Sequence, residues 1–212
     1  MSRDIVILGA GGHARVVLAT LRAMGLSVRG CLAPERPGTG WPTAVPWLGG
    51  DEALAELKEV ELANGVGSVG DISRRKTAYE AGRAAGLAFV TLRHPGAVIE
   101  ADAAFGEGAQ VMAGAIVQTG VRLGCDVIVN SGAIIDHDCE IGDHAHIAPG
   151  VRLSGGVKVG AGAHVGIGAV VIQGVNIGAG AVVGAGAVVL ADVAAGERVA
   201  GVPARALKGA GA

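Results

Sequence analysis

Aromatic side chains are scarce in this sequence. The 212 residues include only two Trp, one Tyr and two Phe, while hydrophobic residues still make up 50% of the chain. The core must therefore be built from aliphatic side chains. Glycine is abundant, at 38 residues, but it lacks the three-residue period of collagen. The apolar content also argues against intrinsic disorder, and the length suffices for one large domain or two small ones.

A strong charge bias is also missing. The formal net charge is −2, so no basic field exists to attract nucleic acid or a membrane surface. No apolar run is long enough for a transmembrane helix, and the first apolar segment reaches Gly9 without the hydrophobic region of a signal peptide. Cys31, Cys125 and Cys139 are odd in number and widely spaced, which disfavours disulfides and favours a reducing compartment. We therefore expect a cytoplasmic protein that neither binds nucleic acid nor inserts into membranes.

A six-residue repeat occupies the C-terminal half of the chain. Every sixth residue from Ile99 to Val189 is large and apolar. The residue four places after each of them, from Ala103 to Val193, is small or β-branched. Because the register never slips, we interpret each hexad as one short strand and one turn, stacked around an aliphatic column. Three hexads close one coil of a β-helix, although the repeat alone does not fix its handedness.

The first ninety residues have a different pattern, in which short apolar runs alternate with segments of helical spacing. Such alternation is typical of βαβ units and a parallel sheet. The sequence predicts strands at 4–8, 27–32, 65–69 and 89–92, helices at 15–24, 52–62 and 73–85, and an irregular proline-rich segment at 34–47. We expect two domains, a small α/β domain at 1–93 and a β-helix with a C-terminal tail at 94–212.

A glycine-rich turn follows the first predicted strand and opens the first predicted helix. Gly9, Gly11 and Ala14 match the pattern G-x-G-x-x-A, which favours a phosphate site at the helix N-terminus. A tight turn without a ligand is the alternative. Dinucleotide binding is disfavoured, because the second strand is followed by Ala33 and Pro34 rather than by an acidic residue. A mononucleotide or a nucleotide-sugar suits a domain of this size better.

Histidines interrupt the polar side of the repeat. His137 stands third in its hexad, between Asp136 and Asp138, and should point outward. Imidazole has a pKa near working pH, so His137 is a candidate general base, and either aspartate would hold its tautomer. Exposed polar residues without a catalytic role are the alternative. His144, His146 and His164 raise the further alternative of a zinc site, but we expect no metal.

Several segments resemble one family over essentially the whole chain, the NeuD/PglD-type sugar acyltransferases. These proteins join a small Rossmann-like, nucleotide-binding α/β domain to a left-handed parallel β-helix. The segments that carry the resemblance are residues 7–17, 94–95, 130–139, 146–150, 183–189, 192–193 and 201–205. The resemblance implies a homotrimer that binds acetyl-CoA between neighbouring β-helices. It also implies an acceptor bound between one N-terminal domain and an adjacent β-helix.

The resemblance also implies site residues. His137 is the expected catalytic base, with Asp138 beside it where the family often has Glu. The expected cofactor contacts, from the thioester to the adenine end, are His146, Gly155, Ile167 and Ala185. The backbone N–H of Gly155 would stabilise the thioester oxygen as it becomes negative. The expected substrate contacts are Gly11, Gly12, His13 and Arg74. Ala33 and Pro34 replace an Asp pair that is common in the family.

The activity implied is transfer of an acetyl group from acetyl-CoA to the amino group of a nucleotide-linked amino sugar, in surface-glycan biosynthesis. Two alternatives remain open. One is O-acetylation of sialic acid or a similar sugar by the same machinery. The other is a trimeric sugar-binding scaffold without activity, which the loss of the Asp pair would permit.

Overall fold

The computed structural model describes residues 4–69 and 71–207. The chain divides into two compact units, Met1–Pro95 and Gly96–Ala212. Within the described residues, no helix has both the length and the apolar character needed to cross a membrane.

The N-terminal unit contains a five-stranded parallel sheet. Its strand order is β3-β2-β1-β4-β5, with β1 at the centre and buried. In chain order the elements are β1 Asp4–Leu8, α1 Gly12–Ala23, β2 Val28–Leu32, β3 Trp47–Gly49, a 3₁₀ helix Asp51–Glu56, β4 Val60–Asn64, α2 Ser73–Ala84, β5 Ala88–Phe89 and β6 Leu92–Arg93. The first two predicted strands and the helices predicted at 15–24 and 73–85 are thus confirmed, with small shifts of their ends. The irregular segment ends one residue early, because Trp47 already belongs to β3, and the predicted fourth strand is split into β5 and β6.

Two predicted elements between β3 and α2 are wrong. The helix predicted at 52–62 is a short 3₁₀ helix followed by β4, and Glu59 between them has a left-handed φ of 57°. Good helix formers occupy 52–58, but β4 pairs along the whole of β1 and buries Val60 and Leu62, so tertiary packing overrides local propensity. The strand predicted at 65–69 is a loop. A Cβ at Gly65 would collide with the backbone of Leu8 and the side chain of Ala14.

The C-terminal unit is the parallel β-helix that the repeat predicts. Almost every strand has two residues, and strands 18 residues apart are paired, as Ile116 is with Ile134. The strands are β7 Val98–Ile99, β8 Ala104–Phe105, β9 Gln110–Val111, β10 Ile116–Val117, β11 Arg122–Leu123, β12 Ile128–Val129, β13 Ile134–Ile135, β14 Glu140–Ile141, β15 His146–Ile147, β16 Arg152–Leu153, β17 Lys158–Val159, β18 His164–Val165, β19 Val170–Val171, β20 Asn176–Ile177, β21 Val182–Val183, β22 Val188–Val189, β23 Arg198–Ala200 and β24 Arg205–Ala206.

The β-helix has three faces, which we name by their strands. Face 1 consists of β7, β10, β13, β16, β19 and β22, and face 2 of β8, β11, β14, β17 and β20. Face 3 contains β9, β12, β15, β18, β21, β23 and β24, of which the last is antiparallel to its neighbour. The chain passes from face 1 to face 2 to face 3 in each coil. A corner is the turn between two consecutive faces.

The core is the column of first and fifth residues of the hexads. From Val111 to Val193 all of them are buried, and only the first coil is partly open, at Ile99, Ala103 and Phe105. A large residue thus alternates with a small one throughout, as at Ile135 and Cys139. Each fully buried Val or Ile contributes about 1.5–3 kcal/mol, so many small aliphatic layers replace an aromatic core.

Candidate active site

His137 lies at the corner between faces 1 and 2, directly after β13. The carboxylate of Asp136 accepts the backbone N–H of His137 at 2.8 Å and fixes the start of the turn. The ring nitrogen Nδ1 of His137 donates to Oδ2 of Asp138 at 2.9 Å. Of the two flanking aspartates, Asp138 therefore orients the imidazole. With Nδ1 bound in this way, the lone pair for accepting a proton is on Nε2.

The backbone of Asp138 explains how so short a side chain reaches the ring. Its φ is 58°, in the left-handed region, and its N–H donates to the carbonyl of Thr119, one coil earlier, at 3.0 Å. The corresponding residue one coil later, Gly156, is a glycine with φ 68°. Asp tolerates this conformation better than most residues do. The repeat imposes it, and the carboxylate is thereby turned onto Nδ1.

The pKa of His137 is raised from its ordinary value, first by the hydrogen bond to Asp138 and then by the charges of Asp136 and Asp138. Slight desolvation acts in the opposite direction. The side chain remains 48% exposed, so a substrate can approach the ring. His137 is therefore an accessible base of increased basicity.

Gly155 lies one coil beyond His137 and faces its ring. A Cβ at this position would overlap the imidazole, at Nε2 and Cε1. The carbonyl of His137 accepts the N–H of Gly156 at 2.8 Å, whereas no acceptor among the described residues pairs with the N–H of Gly155. A free backbone donor thus lies beside the proton-accepting nitrogen.

A polar turn supports the same corner from one coil below. The carboxylate of Asp102 accepts the hydroxyl of Thr119 at 2.7 Å and the N–H of Gly120 at 3.0 Å. The hydroxyl of Thr119 is the main reason why the pKa of Asp102 is lowered. Nothing in the sequence analysis pointed to Asp102. Its only signal was its spacing of 18 residues from Gly120, one full coil.

His146 and His164 lie on face 3 and are buried, with 6% and 8% of their surfaces exposed. Asn130 donates from Nδ2 to Nε2 of His146 at 3.1 Å, and the two imidazoles meet edge to face with centroids 4.9 Å apart. Nδ1 of His164 has no partner in the described part of the chain, and burial lowers the pKa of His164. Within one chain, the structure does not bring His146 to the corner of His137.

Ile167 and Ala185 occupy a third place, the corner between faces 3 and 1. They are stacked one coil apart, and Gly186 donates its N–H to the carbonyl of Ile167 at 2.8 Å. Ile167 is apolar yet 58% exposed. Face 1 separates this corner from His137. The expected cofactor contacts of a single chain are therefore divided between two corners and face 3.

No group of three or more His, Cys, Asp or Glu residues that would suit a metal ion occurs within residues 4–69 and 71–207. His144, one of the histidines considered for zinc, is instead bound through Nδ1 to the carboxylate of Asp126 at 3.0 Å.

The glycine-rich turn of the N-terminal unit borders a cavity of about 190 Å³. Gly11 is the N-cap of α1 and gives the first turn no side-chain hydrogen bond, so the positive end of the helix remains available to an anion. The cavity is lined by Gly11, Gly12 and Arg15 on one side, and by residues 37–41 of the proline-rich segment on the other. His13 is not among its lining residues and lies beside Gly67 instead.

A larger cavity of about 680 Å³ lies at the carboxyl ends of β1 and β2. Leu8, Gly9, Leu32, Pro34, Asp51, Leu54, Val66, Ser73, Arg74, Thr77, Ala78 and Ala81 line it. Of the expected substrate contacts, Arg74 is found here and the two glycines border the smaller cavity. Asp51 was missed by the sequence analysis, because its segment was interpreted as part of a long helix.

Arg75, next to Arg74, has a structural part that the sequence analysis also missed. It is buried, and its guanidinium donates to the carbonyls of Asn64 and Val66 at 3.2 and 2.7 Å. The side chain of Asn64 returns a hydrogen bond to the carbonyl of Arg75 at 3.0 Å. Arg75 thereby fixes the loop after β4, one wall of the larger cavity.

Comparisons with known proteins agree over the length of the chain. Residues 4–81 match the PglD N-terminal domain, and residues 120–155 match the bacterial transferase hexapeptide (six repeats). PerB from Caulobacter crescentus, solved in complex with CoA and GDP-perosamine, is 39% identical, with a TM-score of 0.89 over 96% of this chain and 97% of PerB. The acetyltransferase domain of PglB from Neisseria gonorrhoeae, in complex with acetyl coenzyme A, is 35% identical, with a TM-score of 0.88 over 98% of this chain and 100% of that one. WeeI from Acinetobacter baumannii is 25% identical, with a TM-score of 0.80 over 96% and 99%. No curated protein matches the chain.

Proposed function

Because the chain belongs to the family of sugar acetyltransferases that join a PglD N-terminal domain to a left-handed hexapeptide-repeat β-helix, we propose that it transfers the acetyl group of acetyl-CoA to the amino group of a nucleotide-linked amino sugar. Two of the similar structures support both substrates. One holds CoA and GDP-perosamine, and the other holds acetyl coenzyme A. The product would enter surface-glycan biosynthesis in the cytoplasm.

The observation that carries this proposal is the His137–Asp138 hydrogen bond at an exposed corner. The neutral amine of the sugar attacks the thioester carbon, and a C–N bond forms. His137 Nε2 takes the proton that the nitrogen then loses. The thioester oxygen becomes negative, and the N–H of Gly155 donates to it. When the C–S bond breaks, the thiolate of CoA receives the proton from His137, and the base is restored.

We further propose that acetyl-CoA lies between two copies of the chain, in a homotrimer. His137 is at one corner of the β-helix, and Ile167 and Ala185 are at another, with face 1 between them. One cofactor therefore meets both sets only if neighbouring copies supply one set each. The outward residues of face 1 support this arrangement, because most of them are apolar. They are Val98, Ile116, Ile134, Val170 and Val188. A closed ring of such contacts has cyclic symmetry.

The two units would divide the work. We propose that the N-terminal domain, residues 1–93, holds the nucleotide, and that the β-helix domain, residues 94–212, carries the chemistry. Gly11, Gly12 and Arg15 suit a phosphate, because a helix N-terminus and a guanidinium border the same cavity. Arg74 contacts the nucleotide from the larger cavity, and His13 is left with the smaller part, alongside Gly67.

The test is release of CoA thiol from acetyl-CoA in the presence of UDP-, GDP- or dTDP-linked amino sugars, with free sialic acids as further acceptors. We expect turnover with a nucleotide-linked amino sugar. His137→Ala should lower kcat/KM by about 10²- to 10⁴-fold and leave CoA binding unchanged. Gln173→Ala, at the same corner two coils after Asp138 in the stack, is the matched control. Turnover with sialic acids alone would replace the proposal by O-acetylation, and failure to bind CoA would favour a scaffold.

A further inference from the structure

The larger cavity of the N-terminal unit combines apolar walls with two charged side chains. Its apolar lining includes Leu8, Leu32 and Leu54, and its volume of about 680 Å³ exceeds the size of a nucleoside. Asp51 enters from the 3₁₀ helix and Arg74 from α2. Neither charged side chain forms a hydrogen bond or ion pair with another described residue. Both are thus available to a ligand.

The face of α2 toward this cavity is suited to a planar ring. Arg74, Ala78 and Ala81 line the cavity at intervals of four and three residues, so they share one side of the helix. The two alanines leave room over the helix surface, and Leu54 lies on the opposite element. A flat, largely apolar group fits between these elements, with its polar edge toward Asp51 and Arg74.

A carboxylate selects strongly among the bases, because it accepts hydrogen bonds and donates none. Guanine presents two adjacent donors, N1–H and N2–H, which match the two oxygens of a carboxylate. Uracil and thymine present one donor between two carbonyls, and adenine and cytosine present one donor beside an acceptor. Those edges bring a lone pair against the charge of Asp51. Arg74 complements the choice, since a guanidinium pairs with O6 and N7 of guanine.

We infer that this cavity holds a guanine base, with Asp51 on N1–H and N2–H and Arg74 on the O6 edge. This inference rests on the proposed function, because it names the nucleotide that carries the amino sugar. The two cavities of the unit border consecutive residues of one turn, Gly9 for the larger and Ala10 for the smaller. A base in the larger cavity therefore leaves its diphosphate near the N-terminus of α1.

The test is isothermal titration of the full-length protein with GDP, UDP, dTDP and ADP, without acetyl-CoA. We expect GDP to bind at least about tenfold more tightly than the other three, as a charge-assisted pair of hydrogen bonds implies. Asp51→Asn presents one oxygen and one NH₂ group, which suit N3–H and O4 of uracil. GDP affinity should then fall by about tenfold to a hundredfold, and the ratio of GDP to UDP affinity should reverse.

Glu56→Gln is the matched control, because it makes the same change on the same 3₁₀ helix outside the cavity lining. It should leave all four affinities unchanged. Arg74→Gln provides a second variant, in which GDP affinity falls more than UDP affinity. Thermal unfolding of each variant checks its folding. Equal or tighter binding of UDP or dTDP by the unmodified protein would overturn the guanine assignment, and so would unchanged GDP binding in both variants. Either result would leave acetyl transfer to another nucleotide-sugar intact, because that activity is measured separately.

Discussion

The imidazole of His137 occupies the space that a side chain at Gly155 would need. Two residues one coil apart thus define the reacting corner together, one through its ring and the other through the absence of a Cβ. Gly155 does not have a positive φ, so its backbone conformation is open to other residues. What excludes them is the ring of His137.

Gly155→Ala should therefore remove activity without unfolding the β-helix. The methyl group displaces the imidazole from Asp138, and a misplacement of about 1 Å lowers catalysis by about a hundredfold. The measurement is kcat/KM with acetyl-CoA and the best acceptor, alongside a thermal unfolding curve. Gln173→Ala, one coil further along the same corner, should retain full activity. Normal turnover in Gly155→Ala would show that His137 does not act from the orientation seen here.

The pH profile should depend on Asp138. The hydrogen bond from Asp138 raises the pKa of His137 above its ordinary 6.5, and the base acts only when it is unprotonated. Activity should therefore fall as the pH drops through that raised pKa. In Asp138→Asn the acidic limb of kcat/KM should move to lower pH, and the plateau should decrease because the tautomer is no longer fixed. A limb that stays in place or moves upward would contradict the role of Asp138.

Activity should be recoverable by mixing two inactive variants. His137→Ala removes the base at one corner, and Ile167→Arg places a charge at the cofactor corner of the same chain. If neighbouring copies share each site, joint refolding of equal amounts should restore about a quarter of the sites, because each site draws its two corners independently. The measurement is thiol release before and after mixing. No recovery, with trimers verified by light scattering, would place each whole site within one chain.

The aliphatic column should be sensitive to small losses of volume. Ile147 is fully buried in the middle of the β-helix. Ile147→Val should lower the free energy of unfolding by about 0.5–1.5 kcal/mol and Ile147→Ala by about 2–5 kcal/mol, because the stacked coils cannot collapse into the cavity. Urea unfolding followed by circular dichroism measures both. Equal effects of the two substitutions would mean that the coil relaxes around the site.

The β-helix was predictable because its information is local and repeated. Each hexad from Ile99 onward demands the same strand and turn, so one register fits the entire half of the chain. β4 was missed for the opposite reason. Its partner is β1, more than fifty residues earlier, and its own residues favour a helix.

The site was only partly predictable for the same reason. The spacing identified His137, but the contact with Asp138 depends on a left-handed φ that the corner imposes. Alternation along the strand placed His146 outward, toward the cofactor, yet the structure buries it beside Asn130 and His164. Asp51 carried no motif, and only the end of the 3₁₀ helix brings it to a cavity. Side-chain surroundings of this kind arise from packing between distant segments.

The pairing of Ile116 with Ile134, 18 residues on, makes the length of this half of the chain a quantised variable. Inserting or deleting a whole coil changes the height of the column by one strand spacing, about 4.8 Å, and returns every later residue to its own corner. A change of six residues instead rotates everything beyond it by one face. Relatives that vary in length between His137 and the C-terminus should therefore do so in steps of a full turn, and each step would alter how far the reacting corner lies from the far end of a bound cofactor.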